Sequence, residues 1–404
     1  MKKLKIAWIC HFRNAHINEV IKPYKYRGEF APWIPNFIRI LKEHDDIELH
    51  IISPHTWIPK YTTFIEDDVT YHFFNCGIPF TGVPWFDFFP LDYWTDFYLN
   101  KWNVKRIIDR IQPDLIHLIG AENAYYSSSI IQFRNKYPVF ITLQGFVNHA
   151  SGISKKTEYS KKIERKILNS FNHYGIRNEK MYLDIKEFNA SAKSYWNRFP
   201  VFFNNENYKN FYDKEFDVVF FARICNDKGI EDLVNATALI KKRKSDIKLL
   251  IIGTGSGDYI NYIKSLAIKL SVDDNITWAG FLATQDQLHF SVSNARVSVL
   301  PTYFDNLPLT ITESMFLKIP VVAYATDSIP ELNKKVESIL LVDKFDIDGL
   351  AEKILLLLEN EELWNKMAEQ GYKTINEWFD NSKVYPELRS AYEAVIEDFN
   401  SKKV

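Results

Sequence analysis

Short apolar runs alternate with segments of helical period along this chain. "LKIAWIC" (residues 4–10) reads as a buried strand, and "WIPNFIRILKEHDD" as a helix carrying Trp33, Phe37, Ile40 and Leu41 on one side. "IELHIIS" is the next strand, followed later by helix "VKRIIDRIQ", strand "PDLIHLIG", helix "AENAYYSSSIIQFRNKY" and strand "PVFITLQG". Apolar runs of four to eight residues between helical segments point to a parallel sheet covered on both faces. After an irregular polar stretch the rhythm restarts with strand "FDVVFFAR", helix "GIEDLVNATALIKKRK", strand "IKLLIIG", helix "DYINYIKSLAIKLS", strand "ITWAGF" and helix "TQDQLHFSVSNA". Strands "RVSVLP", "PVVAYA" and "SILLVD" and helices "DGLAEKILLLLEN", "EELWNKMAEQGYKTINEWF" and "SKVYPELRSAYEAVIEDF" complete it.

Length turns this pattern into two domains. The 404 residues exceed the roughly 250–300 at which one core stops growing. We place a Rossmann-like domain at 1–200, a linker at 201–214 and a second Rossmann-like domain at 215–379. Helix 380–404 is expected to return to the first domain. The fold class is α/β, with two βαβ sheets facing across a cleft.

Charge removes some functions from consideration. Lys and Arg number 50 against 51 Asp and Glu, so nothing global suggests nucleic acid. Cys10, Cys76 and Cys225 form no C-x-x-C pair, which argues against a disulfide framework and a structural zinc site. The apolar run near the start is too short for a signal peptide, and "ILLLL" (354–358) is far below a membrane span. A soluble, cytoplasmic protein is expected.

Three segments carry chemistry. In "PTYFDNLPLTITESMFLKIPVVAYATDS" (301–328), Pro308 suits a first helical turn, leaving the Leu309 and Thr310 amides to face the loop that contains Asn306 and Leu307. Such a helix start attracts phosphate. Glu313, one turn in, offers two oxygens to vicinal hydroxyls, as on a ribose, and Asp305 can accept from a sugar ring. As bland alternatives, Asp305 is a loop acid and Glu313 a solvated helix position. In "FFARICNDKG", Arg223 at a strand end and Lys228 before a helix present a forked donor and a point charge to a diphosphate; a surface pair at a helix start reads equally from the segment alone. In "IIGTGSGD", Gly253 and Gly255 form a floor for base or ribose, or simply a turn needing positive φ. Gly280 and Phe281 are similar candidates for the base.

Together these segments resemble the retaining glycosyltransferases of family GT4, which share the GT-B fold. The resemblance runs through most of Phe216–Phe379, in "ARICNDKG", "LLIIGTGSGDYINYIKSLAIKL" and the segment from "DNITWAGF" to "KIPVVA". It implies that Arg223 and Lys228 bind the donor diphosphate, Glu313 the nucleotide ribose, and Asp305 the transferred sugar near its anomeric centre. Asp305 departs from the family, which usually has Glu there; misplacement by ~1 Å can cost ~10²-fold in rate.

The first half resembles the family more loosely. Where the family often has His after the strand "PVFITLQG", this chain has Gln144-Gly145, with His149 nearby. Gln144 can hydrogen-bond the sugar but cannot act as a base, and His149 reads equally as a loop histidine. The stretch 11–31 replaces the family's glycine-rich loop and is expected to shape the acceptor pocket.

The resemblance implies transfer, with retention, of a hexose or N-acetylhexosamine from a UDP-sugar, or second a GDP-sugar, to a glycan or lipid-linked acceptor. Bacterial surface polysaccharide synthesis is the expected setting. No tightly bound cofactor and no metal are expected: the only D-x-D, Asp346-Ile347-Asp348, precedes a helix and suits an N-cap. A nucleotide-sugar epimerase and a binding-only relative remain as alternatives. Ten of the 23 residues in 80–102 are aromatic, and 154–166 holds six cations. Family members often attach to the inner face of the plasma membrane, so both runs are candidates for peripheral contact. The bland readings are core aromatics and a solvated helix face.

Overall fold

The computed structural model describes residues 3–11, 17, 31, 33–56, 58, 60–78, 81, 85, 91–149, 154–202, 211–282, 284–305 and 308–402. Most of stretch 11–31 and of linker 201–214, together with Asn306, Leu307 and the side chain of His149, lie outside the described residues. The chain divides into one unit of Met1–Val201 with Asp380–Val404 and another of Phe202–Phe379.

The N-terminal unit is built on eight strands: β1 (Leu4–Ile9), β2 (Ile47–His55), β3 (Thr62–Glu66), β4 (Val69–Asn75), β5 (Leu115–Ile119), β6 (Val139–Thr142), β7 (His173–Ile176) and β8 (Lys193–Trp196). Their order is β3-β4-β2-β1-β5-β6-β7-β8. All neighbouring pairs are parallel except β3 with β4. Central strands β5, β6 and β7 are buried throughout, and their sequences are mostly apolar, broken only by the buried polar residues His117, Thr142 and His173 and by Gly175. Each fully buried Ile, Leu or Phe there contributes roughly 1.5–3 kcal/mol.

Two local readings are corrected. The β3–β4 hairpin was not foreseen; it turns on Asp67 and Asp68, both at positive φ (52° and 60°), the backbone of a two-residue hairpin turn. The helix expected over 121–137 is only an α-turn, Ala124–Ser127, continued as 3-10 helix Ser128–Phe133. Ser127 Oγ donates to Ala121 O at 3.0 Å and Ser129 Oγ to Tyr126 O at 2.6 Å, so these hydroxyls compete with regular helix.

The final helix, Asn381–Ser401, packs on this sheet. The fully buried Tyr392 hydroxyl receives the Trp8 indole N–H at 2.9 Å and meets His117 Nδ1 at 2.8 Å. His117 Nε2 meets Thr142 Oγ1 at 2.7 Å. Buried polar groups are tolerated because each finds such a partner.

The C-terminal unit has six strands: β9 (Phe216–Phe221), β10 (Leu249–Ile252), β11 (Ile276–Gly280), β12 (Ala295–Leu300), β13 (Val321–Tyr324) and β14 (Leu340–Val342). They run in the order β11-β10-β9-β12-β13-β14, all parallel. Strand order reverses between β9 and β12, where open α/β sheets hold ligands beyond their carboxyl ends. At the opposite end of the sheet, buried Asp217 accepts from Arg296 Nη1 at 2.6 Å and from Lys248 N at 2.9 Å. Helix Ile347–Glu359 starts on Asp346, whose carboxylate accepts the Gly349 amide at 2.8 Å. The D-x-D acid is thus a helix cap.

Candidate active site

The loops that leave β9, β10, β12 and β13 are locked to one another by their backbones. Past β9, Ala222 N bonds Ile252 O at 3.2 Å and Ile224 N bonds Thr254 O at 2.8 Å. Gly253 sits at φ +146°, and a Cβ there would collide with Ala222 O; one at Gly255 would collide with Ile224 O. Close backbone approach therefore accounts for both glycines.

A single 3-10 turn, Asn226–Lys228, then delivers Lys228. Gly229 follows at φ +68°, where a Cβ would strike Pro301 O, so only glycine lets this loop press on the end of β12. Asp227 O accepts Tyr303 N at 2.8 Å and Thr302 Oγ1 at 3.0 Å, joining the loops across the reversal. Here Lys228 Nζ lies 2.5 Å from Asp305 Oδ2, with only 12% and 24% of the two side chains exposed. Asp327, after β13, fixes the other partner by accepting the Asp305 amide at 2.8 Å. Sequence reasoning singled out neither Asp227 nor Asp327; the one available signal was an acid following each strand.

Arg223 leaves the same loop but turns outward. Its side chain is 73% exposed and its guanidinium is 3.5 Å from Asp227. It is near Lys228 in the chain and unattached to the Lys228–Asp305 pair, so a ligand phosphate would have to draw it in.

Helix Leu309–Phe316 begins after Pro308. Ile311 and Thr312 amides bond Pro308 O at 3.1 and 3.3 Å, while those of Leu309 and Thr310 have no acceptor among the described residues. That leaves two N–H groups at the positive end of a helix. Glu313 is half-buried, and burial alone pushes its carboxyl up to about 8. A desolvated carboxylate of this kind gains from hydroxyl donors. Gly280, at φ +68° with open space about its α-carbon, precedes a Phe281 that is 62% exposed. Gln144 belongs to the other unit, where Arg177 Nη2 donates to its carbonyl; His149 ends a short 3-10 turn in that unit.

A family model described as "Glycosyl transferases group 1" matches residues 202–374. Among curated relatives, the capsular polysaccharide biosynthesis glycosyltransferase CapM of Staphylococcus aureus is 25% identical over 201 residues, 49% of this chain and 51% of that protein. The chain thus spans about half the length of the first curated relatives it matches. Among solved structures, sucrose-phosphate synthase from Thermosynechococcus elongatus superposes with a TM-score of 0.76 at 18% identity, over 98% of this chain and 100% of that one. HepE of Anabaena, solved with UDP and glucose, gives 0.66 at 15% identity, over 98% and 100%. At these identities the likeness is one of fold, and the fold is GT-B.

Proposed function

We propose that this chain, whose residues 202–374 match the model of the glycosyl transferases of group 1, moves a hexose or N-acetylhexosamine from a nucleotide sugar to a saccharide acceptor with retention. A UDP-sugar is favoured and a GDP-sugar comes second. The observation that carries this reading is the meeting of Lys228 and Asp305 at the strand-order reversal, beside a helix start with two open amides.

In this reading Lys228, Arg223 and the Leu309 and Thr310 amides receive the donor diphosphate. Glu313 accepts the ribose hydroxyls, Asp305 faces the sugar, and Gly280 and Phe281 meet the base. The acceptor oxygen forms its bond to the anomeric carbon on the face from which the phosphate oxygen departs. The acceptor proton passes to that departing phosphate. No protein nucleophile is needed. At ~4 Å and an effective dielectric of ~20 each cation is worth at most ~4 kcal/mol to the leaving charge, a rate factor of ~10³. That magnitude supports activity without a metal, which survival of activity in EDTA would test.

A glycan or lipid-linked acceptor in bacterial surface polysaccharide synthesis is supported by the kinship with CapM. Among the described residues no helix is long and apolar enough to cross a membrane. Peripheral membrane contact is part of the proposal. It is supported by Trp94, Tyr98 and Trp102, 67%, 65% and 48% exposed, next to the basic helix Lys155–Leu168, whose Tyr159 bonds Asp96.

The test is incubation with single UDP-, GDP- and ADP-sugars while nucleotide release is followed. Release that depends on added acceptor supports transfer. A new sugar nucleotide formed without release would favour epimerisation, and binding alone a non-catalytic relative.

A further inference from the structure

The N-terminal unit carries a cavity of about 390 Å³ at the edge of its sheet where strands begin. Val139 and His173, the first residues of β6 and β7, both line it. The end of the final helix, with Asp398 and Lys402, forms another side. Gln144 and His149 follow the other end of β6, and the donor residues lie in the other unit. None of the residues proposed for transfer takes part in this cavity.

Its walls are held by three separate segments. Buried His173 meets the Tyr195 hydroxyl through Nδ1 and Asp398 Oδ2 through Nε2, each at 3.0 Å. Lys193, at the start of β8, donates to Asp398 Oδ1 at 2.7 Å, and Lys402 reaches the same carboxylate from one helical turn further on. Asn189 Nδ2 donates to Asn172 Oδ1 at 3.0 Å and to Phe171 O at 2.7 Å, which fixes the Asn172 amide and leaves its NH2 as the open end.

Donors outnumber acceptors here. Asp398 is the one carboxylate among the residues lining the cavity, and both its oxygens are engaged. The Arg134 guanidinium, Asn172 Nδ2 and the Ser170 hydroxyl also line it, and none has a partner among the described residues. Arg134, Lys193 and Lys402 against Asp398 leave two positive charges in excess. His173 adds none at neutral pH, because burial holds its imidazole below the usual range despite Asp398. Open donors with surplus positive charge suit an oxyanion, and a phosphomonoester brings a charge of about −1.5 to −2. Phosphate alone would leave much of the space unfilled, and the rest of the wall includes the carbon faces of Phe171 and Val395. A cavity of this size is on the scale of small organic ligands.

We infer that this cavity binds a sugar phosphate, a ring of hexose size carrying a phosphomonoester. Arg134 grips the phosphate with its forked donors, and Lys402 shares its ammonium between Asp398 and the ligand. Asn172 and Ser170 donate to the remaining oxygens, while the apolar wall covers the ring. The site is separate from the nucleotide-sugar site and does not depend on that reading. Its ligand would tie the end of the final helix to the segment that carries Arg134.

The test is titration calorimetry on the full chain with glucose 6-phosphate, glucose and inorganic phosphate, each with and without saturating UDP. Glucose 6-phosphate is expected to bind about tenfold or more tightly than either glucose or phosphate, and equally well whether UDP is present or not. Arg134→Met and Lys402→Met, both at exposed positions where folding is undisturbed, are each expected to weaken it about tenfold. Arg134→Lys should recover part of the loss, since it keeps the charge and gives up the fork. Glucose 6-phosphate that binds no better than phosphate alone, that keeps its affinity in both methionine variants, or that UDP displaces overturns the site. Failure of UDP itself to bind strikes the nucleotide-sugar reading instead, and the two methionine variants then decide this one.

Discussion

Lys228 Nζ stands 2.5 Å from Asp305 Oδ2. The cation expected to meet phosphate and the acid expected to meet sugar are thus ion-paired to each other. A donor must insert its charge beside this pair, and Lys228 would then balance a phosphate as well as Asp305. Lys228→Met should lower kcat/KM by about 10²–10³, up to the ~4 kcal/mol one cation can supply. Asp305→Glu should also slow transfer, by up to ~10²-fold, because the present loop is fitted to the shorter acid. Steady-state rates with the donor that releases nucleotide fastest decide both; an Asp305→Glu variant faster than the parent would overturn the second.

Glu313 should make nucleotide binding depend on pH. Its carboxyl is pushed up to about 8 in the fold, from an ordinary 4.5, and hydroxyl donors favour the ionised form. UDP affinity is therefore expected to rise as pH climbs from 6 to 8 and to level off above, as calorimetry would show. Glu313→Gln should bind about tenfold more weakly and remove the slope. Stability runs the opposite way. Between 4.5 and 8 the folded state holds a proton that the unfolded state has lost, so this group's contribution falls as pH rises. At pH 9 the Glu313→Gln variant should melt higher than the parent.

Gly229→Ala tests the packing under the pair. With φ at +68° and Pro301 O in the way, a methyl group forces the Lys228 loop off β12. A loss of about 1–3 kcal/mol in denaturant stability is expected, together with a drop in transfer rate from displacement of Lys228. An unchanged unfolding midpoint would contradict the steric argument.

Tyr392→Phe separates fold from chemistry. It strips the buried Trp8 N–H of its acceptor and His117 Nδ1 of its partner, at a cost of about 1–3 kcal/mol. UDP affinity, read by calorimetry, should be unchanged because the residues proposed to hold the nucleotide lie in the other unit.

Membrane contact can be measured by sedimenting the protein with vesicles containing anionic lipid. Neutralising exposed Lys155, Lys156 and Lys162, or replacing exposed Trp94, should each cut the bound fraction several-fold. Lys161, only 15% exposed beside Glu158, should matter less. Binding untouched by all of these changes would argue for a plainly solvated surface.

Most strands of the C-terminal unit were legible because they are buried on both faces, and their apolar runs end where helical period begins. The β3–β4 hairpin was missed because its strands carry Thr, His and Glu among their apolar positions, and Asp67-Asp68 lacks the glycine of the usual two-residue hairpin turn. Arg223 was read as the end of a strand, whereas β9 stops at Phe221, and its outward turn toward Asp227 was not written there.

Sequence alone determined the periodicities, and with them the succession of βα elements, the helix start at Pro308 and the cap at Asp346, since each depends on neighbours within a few positions. Tertiary structure decided what depends on distant backbone. Gly229 against Pro301 sets the Lys228–Asp305 pair across 77 residues. Burial then moves the Glu313 carboxyl. Desolvation is a property of everything packed around a group, and no stretch of chain contains it.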